Sequence, residues 1–260
     1  LIATLFPYTT LFRSMEILPT TLHLNSREWN IEPSKIHISG SGIDVESLEL
    51  TSSEQRVRLE GKASKAAKDT LTLNLDRFDI SVVNPLIGSK LGIAGAATGN
   101  VRLISPLKEL GLLANMISDS TYIAGVPLGV VSIGSSWNEE FERFEIDLRN
   151  DYSGKSNISA HGKLTPKLKT LEAEADLDEL HIGYVQPVLS DVFSSMDGTV
   201  SGKIFVDGPI ENLTVSSSDT RLNNAELKIA FTNVPYYADG TFHIDSNGAY
   251  LDDIKVTDRF

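Results

Sequence analysis

Leu171-Glu172-Ala173-Glu174-Ala175-Asp176-Leu177 puts every apolar side chain on one parity and every carboxylate on the other. Successive side chains of a strand point to opposite faces, so this segment has one apolar side and one charged side. A strand buried on both faces would read as an unbroken apolar run instead. The same period of two recurs at 35–38, 55–59, 71–75, 144–148, 200–206, 226–231, 241–244 and 254–256. The fold class this predicts is all-β. Ser39-Gly40-Ser41-Gly42, Asn150-Asp151-Tyr152-Ser153-Gly154, Asp207-Gly208-Pro209, Asp239-Gly240 and Ser246-Asn247-Gly248 supply turn signals between the runs.

Outward from this segment the chain repeats itself. Leu75-Asp76, Phe78, Ile80, Pro85-Leu86, Gly99, Leu103, Pro106 and Leu110 keep the order of Leu177-Asp178, Leu180, Ile182, Pro187-Val188, Gly202, Phe205 or Val206, Pro209 and Leu213. The offset is 102 residues up to the first proline and 103 from the glycine onward. Upstream, Gly61-Lys62 answers Gly162-Lys163. Repetition of strand-rich units predicts an elongated array in which copies bury one another's apolar faces. Two segments at the same point of the repeat carry helical spacing. Pro187 to Met196 sets Val188, Leu189, Val192 and Phe193 on one side, and Pro85 to Leu91 is its weaker partner. Each predicts a short amphipathic helix that caps part of the apolar side of the sheet.

Phe6 to Ser14 (FPYTTLFRS) reads as the translation of a sequencing adapter, so residues 1 to 14 are set aside as non-native. The alternation at 253–258 stops at Phe260 without a turn, and the expectation is a fragment of a longer protein. Residues 15 to 260 then form one continuous array, with units at about 15–75, 75–177 and 177–260. The net charge is −12, or −13 without residues 1 to 14, which disfavours a nucleic-acid surface. With no cysteine, thiolate metal sites, cysteine nucleophiles and disulfides are excluded. No apolar run reaches the roughly 18 residues needed to span a bilayer.

Chemistry-bearing residues are scattered. His23, His37, His161, His181 and His243 have no metal-ligand spacing and read as solvent-facing strand positions. Gly154-Lys155-Ser156 lacks the upstream glycine of a phosphate loop, since Arg149 stands there, and reads as a turn. Asp176/Asp178 and Asp252/Asp253 read as solvated carboxylates, and Trp29 and Trp137 as packing residues or sheet-edge anchors. The expectation is a non-enzyme with no catalytic residue, metal or cofactor.

Four groups of segments resemble the TamB family (translocation and assembly module) in its Bacteroidetes-type form, and more distantly other AsmA-like proteins. The first runs from Trp29-Asn30-Ile31-Glu32-Pro33-Ser34-Lys35-Ile36 through 45–50 and 55–57 to Gly61-Lys62-Ala63-Ser64. A second comprises Ile80 to Leu86 and Ile182 to Leu189, each followed by a Gly-rich strand. The third is Gly202-Lys203-Ile204, Asp207-Gly208-Pro209-Ile210-Glu211-Asn212-Leu213 and Asn224-Ala225-Glu226-Leu227-Lys228-Ile229. The last is Tyr236-Tyr237 and Phe242-His243-Ile244 with 251–258. Their order is more specific than any one of them.

The resemblance implies a periplasmic segment of a Gram-negative envelope protein, anchored in the inner membrane by an N-terminal helix upstream. It implies a curved, taco-like sheet with an apolar groove, and an outer-membrane assembly factor of the Omp85 type as partner. Passage of phospholipid acyl chains and assembly of outer-membrane proteins or autotransporters are both attributed to the family. The expected groove-lining residues are Leu71, Leu73, Leu75, Leu171, Leu177, Ile204, Val206, Ile229 and Phe231. From pattern alone a closed β-sandwich would use the same faces for a dry core. A structural spacer or binding β-array without transport is the alternative of a different class. A β-solenoid would need rungs of about 20 to 25 residues, and no such short period is present.

Overall fold

A computed structural model describes residues 13–24, 27–64, 69–87, 92–104 and 111–258. In chain order the strands are β1 (Arg13–Ile17), β2 (Thr20–Leu24), β3 (Arg27–Ile31), β4 (Ser34–Ser39), β5 (Gly42–Ser52), β6 (Gln55–Ser64), β7 (Thr70–Asp79), β8 (Ile93–Ala94) and β9 (Ala96–Ile104). They continue as β10 (Gly111–Ile123), β11 (Val126–Asn138), β12 (Arg143–Asp151), β13 (Ile158–Thr165), β14 (Thr170–His181), β15 (Phe193–Pro209), β16 (Thr214–Ile229), β17 (Pro235–Asp245) and β18 (Gly248–Thr257). The protein is all-β, and its sheet structure is antiparallel and open rather than closed. The chain divides into two units, Leu1–Phe78 with Thr98–Ala114 and Asp79–Ala97 with Asn115–Phe260.

In the first unit β5, β6 and β7 pair in sequence, and β7 pairs with β9. The other edge of β5 is covered by two strands laid end to end. β4 pairs with residues 42–45 of β5 and β3 with residues 50–51. Pro33 falls at the break between them, where it withholds a ladder donor. β1 on β4 and β2 on β3 repeat the arrangement, with the break at Pro19. Arg13 and Ser14 of β1 lie opposite Ile38 and His37, while residues 1–12 of the segment set aside above lie outside the described residues.

In the second unit β10 to β18 form a meander in which each strand pairs with the next. β8 pairs with the end of β10. Register shifts matter because one extra residue would turn a strand's apolar side over. Between Leu177 and Leu180 of β14 such a shift, with Glu179 in the left-handed region at φ 51°, returns Leu180 to the face of Leu177. Arg77, with φ 50°, holds the same place in β7 between Leu75 and Phe78.

The repetition extends to individual hydrogen bonds. The Arg77 amide donates to Thr98 Oγ1 at 3.1 Å, and the Glu179 amide to Ser201 Oγ at 3.0 Å. A 3-10 helix follows each time, Ile80–Val83 and Ile182–Val185. Asp79 Oδ1 caps the first by accepting from the Ser81 amide at 2.9 Å. His181 Nδ1 caps the second by accepting from the Gly183 amide at 3.0 Å. A capping acceptor satisfies an amide that the first turn leaves without a partner.

Several expectations are corrected. No helix spans Pro187 to Met196: turns run through it, closed by Leu189 N–H to Val185 O and Phe193 N–H to Leu189 O, and β15 begins at Phe193. Val188, Leu189 and Val192 are exposed, so their helical spacing does not mark a buried face. Of Pro85 to Leu91 the described part is a four-residue helix, Asn84–Ile87, and residues 88–91 lie outside the described residues. Pro106 and Leu110 of the repeat also lie outside them. Asp239-Gly240 lies inside β17, where a Cβ on Gly240 would sit 1.9 Å from the Asp253 carbonyl oxygen. The glycine there permits close approach of two strands. The turn expected at Asp207-Gly208-Pro209 falls just after it, where the Asn212 amide donates to Pro209 O at 2.8 Å.

Candidate functional site: one apolar and one charged face

Register fixes which side chains share a face. In the second unit Phe144 and Leu164, Ile146 and Gly162, and Leu148 and Ala160 are opposite pairs. Across the next ladder Ile158 faces Leu177, Ala160 faces Ala175 and Leu164 faces Leu171. Then Ala173 faces Val206, Ala175 faces Ile204, and Leu171 and Leu177 face Gly208 and Gly202. All of these lie on one side of the sheet. The centre of that side is low, built from Ala160, Gly162, Ala173 and Ala175, with larger side chains flanking it. In the first unit Val57 faces Leu75, Leu59 faces Leu73 and Gly61 faces Leu71, with Leu48, Leu50 and Val45 across β6.

The predicted residues fall on these faces with one exception. Leu71, Leu73, Leu75, Leu171, Leu177, Ile204, Val206 and Ile229 lie in strands and are partly exposed, and none is buried. Phe231 is not on a strand: β16 ends at Ile229, and Phe231 stands in the following turn, 97% exposed. Among the described residues eleven hydrophobic side chains are buried, four of them alanines. A sealed sandwich of this length would bury far more, since two facing sheets make a core of both inner faces.

Two local clusters do close over the apolar side in the second unit. Tyr184 packs with Leu128 and Val131, against Ile133, Leu148, Ile158 and Leu180. Ile182 packs with Ala225 and Ala238, against Met196, Val200, Leu222, Leu227 and Ile254. Both come from the 3-10 helix Ile182–Val185, so a single turn caps that end of the face. Burial raises the Tyr184 phenol above its ordinary pKa, and its hydroxyl stays protonated to donate to Pro127 O at 2.7 Å. Asn150, 1% exposed, donates from Nδ2 to Leu128 O, while its Oδ1 accepts from the Asn157 and Ile158 amides. Neither residue is singled out by alternation, because each acts where a strand ends. In the first unit Trp29 is buried with its ring 6.4 Å from Phe78, and in the second Trp137 lies 4.6 Å from Phe144.

The opposite side is charged. Lys203 bonds Glu174 and lies 3.1 Å from Asp176, and these contacts raise its pKa. Arg143, 2.8 Å from Glu145, holds that carboxyl below its ordinary range. Each of the five histidines meets a carboxylate: His23 with Glu28, His37 with Glu46, His161 with Glu145 and Asp147, His181 with Asp197, and His243 with Asp252. A depression of about 490 Å³ here is lined by Asp147, His161, Lys163, Glu172, Glu174 and Phe205, among others. Its lining is mixed, with Phe205 and Val206 set among charged side chains. Lys155 of Gly154-Lys155-Ser156 pairs with Asp178 and Glu179 at a turn. Among the described residues no group of three or more His, Asp or Glu could hold a metal ion, and no helix is long and apolar enough to cross a membrane.

Comparison of the chain with protein-family models, with curated proteins and with solved structures gives no match.

Proposed function

We propose that this chain is a bridge segment of a TamB-like protein of the Gram-negative envelope, and that its apolar strand faces form a curved, taco-like groove guiding phospholipid acyl chains between the inner and outer membranes. The observation that carries the reading is the two-sidedness of the strands: eight of the nine predicted side chains sit on apolar faces, partly exposed, while the reverse sides carry carboxylates and their basic partners. Extended apolar surface left open to solvent marks an interaction site. An acyl chain of about 16 carbons in water costs on the order of 13 kcal/mol at roughly 0.8 kcal/mol per methylene. A strand face of Leu, Ile, Val and Ala removes much of that cost. Similar faces in successive repeats would hold the chain about equally well at each step, so it could slide without a deep trap. An inner-membrane anchor upstream and an outer-membrane assembly partner belong to the same proposal, and no enzymatic step does.

The test is lipid copurification. The chain expressed in the periplasm of a Gram-negative host should carry phospholipid detectable by mass spectrometry after extraction. Leu171→Glu with Ala173→Glu, which leaves the charged face intact, should remove it. A folded chain that carries no lipid would instead be a spacer.

A further inference from the structure

We propose that His181 is an acid-sensitive latch: its neutral imidazole holds the 3-10 helix Ile182–Val185 closed over the apolar side of the sheet, and uptake of a proton at Nδ1 releases it. This goes beyond the lipid reading and does not depend on it.

Both ring nitrogens of His181 are engaged, and their partners fix the tautomer. The Gly183 amide can only donate, so Nδ1, 3.0 Å away, is an acceptor and carries no hydrogen. The hydrogen is therefore on Nε2, which donates to Asp197 Oδ1 at 3.0 Å. The lone pair left for an incoming proton is the one that caps the helix. His161 shows the opposite arrangement: its Nδ1 meets Asp147 and its Nε2 meets Glu145, so a second ring proton there finds an acceptor. A Cβ at position 183 would lie 2.7 Å from His181 Nδ1, and glycine is what lets the ring sit on the amide.

The preceding repeat caps its own 3-10 helix with a different group, the Asp79 carboxylate on the Ser81 amide. A carboxylate remains an acceptor down to about pH 4, whereas an imidazole ordinarily gains its second proton near pH 6.5. The same turn is thus held by two caps that fail at different acidities. The His181 cap holds three buried residues, Ile182, Gly183 and Tyr184, and from them come both clusters that close over the apolar side.

The sign follows from the groups around the ring. Asp197 of β15 faces it, Glu226 of β16 stands opposite Asp197, and the Tyr184 ring lies edge-on at 6.0 Å. On the strand of His181 itself, Asp178 and Glu179 pair with Lys155. The Gly198 amide, with His181, holds the Asp197 carboxyl below its ordinary range. It therefore stays an anion where histidine titrates and keeps Nε2 bonded in both forms. In the closed turn a proton on Nδ1 would meet the Gly183 N–H donor to donor, and in the open turn it meets water. Opening therefore takes up one proton, and falling pH favours the open turn by up to about tenfold per pH unit.

The test follows amide protection factors by NMR in the whole chain. Protection of the Gly183 amide should fall at least about fivefold from about pH 7.5 to about pH 5.5, while that of Ser81 stays level. Ring nitrogen shifts should place the His181 hydrogen on Nε2 at the higher pH. His181→Asn, an acceptor at either pH, and His181→Asp, which copies Asp79, should keep Gly183 protected throughout. The proposal is overturned by level Gly183 protection in the native chain, by an equal fall at Ser81, or by a hydrogen on Nδ1 at the higher pH. An equal fall in both variants overturns it as well. The native-chain readings stand whether or not a variant folds. Lipid copurification at neutral pH is unaffected by any of these outcomes, so the two readings fail separately.

Discussion

The Glu179 amide donates to the Ser201 hydroxyl across 3.0 Å at a point where Glu179 adopts a left-handed backbone. The Arg77 amide and the Thr98 hydroxyl do the same in the preceding repeat. The left-handed residue absorbs an extra position in the strand and keeps its apolar side facing one way. Glycine tolerates this conformation and β-branched residues do not. Glu179→Val should therefore destabilise by about 1–2 kcal/mol and Glu179→Gly by much less. Arg77→Val and Arg77→Gly should give the same order. Urea denaturation of the four variants checks this, and equal costs for Val and Gly would contradict the role of the backbone.

Tyr184 holds the cap with a buried ring and one hydrogen bond to Pro127 O. Tyr184→Phe should cost about 1 kcal/mol by losing that bond. Tyr184→Ala should cost about 3 kcal/mol or more, because it opens the cluster of Leu128, Val131 and Leu180. Thermal unfolding would show the ratio; a larger loss from Phe than from Ala is the contrary result.

Asn150 satisfies one carbonyl and two amides from a buried position. Its replacement by Leu, similar in size, leaves those groups unpaired and should cost about 2–4 kcal/mol. Faster hydrogen exchange at Asn157 and Ile158 would locate the damage, and unchanged exchange there would refute this account.

Acid should weaken the protein. The Glu145 carboxyl is lowered by Arg143, Asp197 by the Gly198 amide and Asp245 by the Asn247 amide. A carboxyl with a depressed folded pKa adds stability above its unfolded pKa, near 4, and loses it as pH falls through the folded value. The denaturation midpoint should fall below about pH 4, and Glu145→Gln should flatten part of that decline. Asp197 is largely exposed, so its effect is small, whereas the Glu145 side chain is only 18% exposed and Asp245 is partly buried.

The strand faces were legible because period two is a direct consequence of backbone geometry, and Leu171 to Leu177 shows it without interruption. Register shifts were not, since Glu179 and Arg77 are ordinary residues whose left-handed conformation is imposed by neighbouring strands. Val188, Leu189, Val192 and Phe193 have helical spacing, yet the chain makes turns there and starts β15 at Phe193. Asp239-Gly240 has turn composition, but its glycine serves the contact of β17 with β18. Phe231 extended an alternation past the end of β16. Asn150 has the composition of a turn residue, and neither its buried hydrogen bonds nor the buried Tyr184 ring is legible in the sequence, because one amide and one ring leave no periodic trace.

Site-specific photocrosslinking tests the groove most directly. A photoreactive amino acid at Leu73, Leu171 or Val206, on the apolar faces, should capture phospholipid in intact cells, and the same group at Glu172 or Glu174 should not. Capture only from Glu172 and Glu174, or equal capture from both sides, would contradict the account.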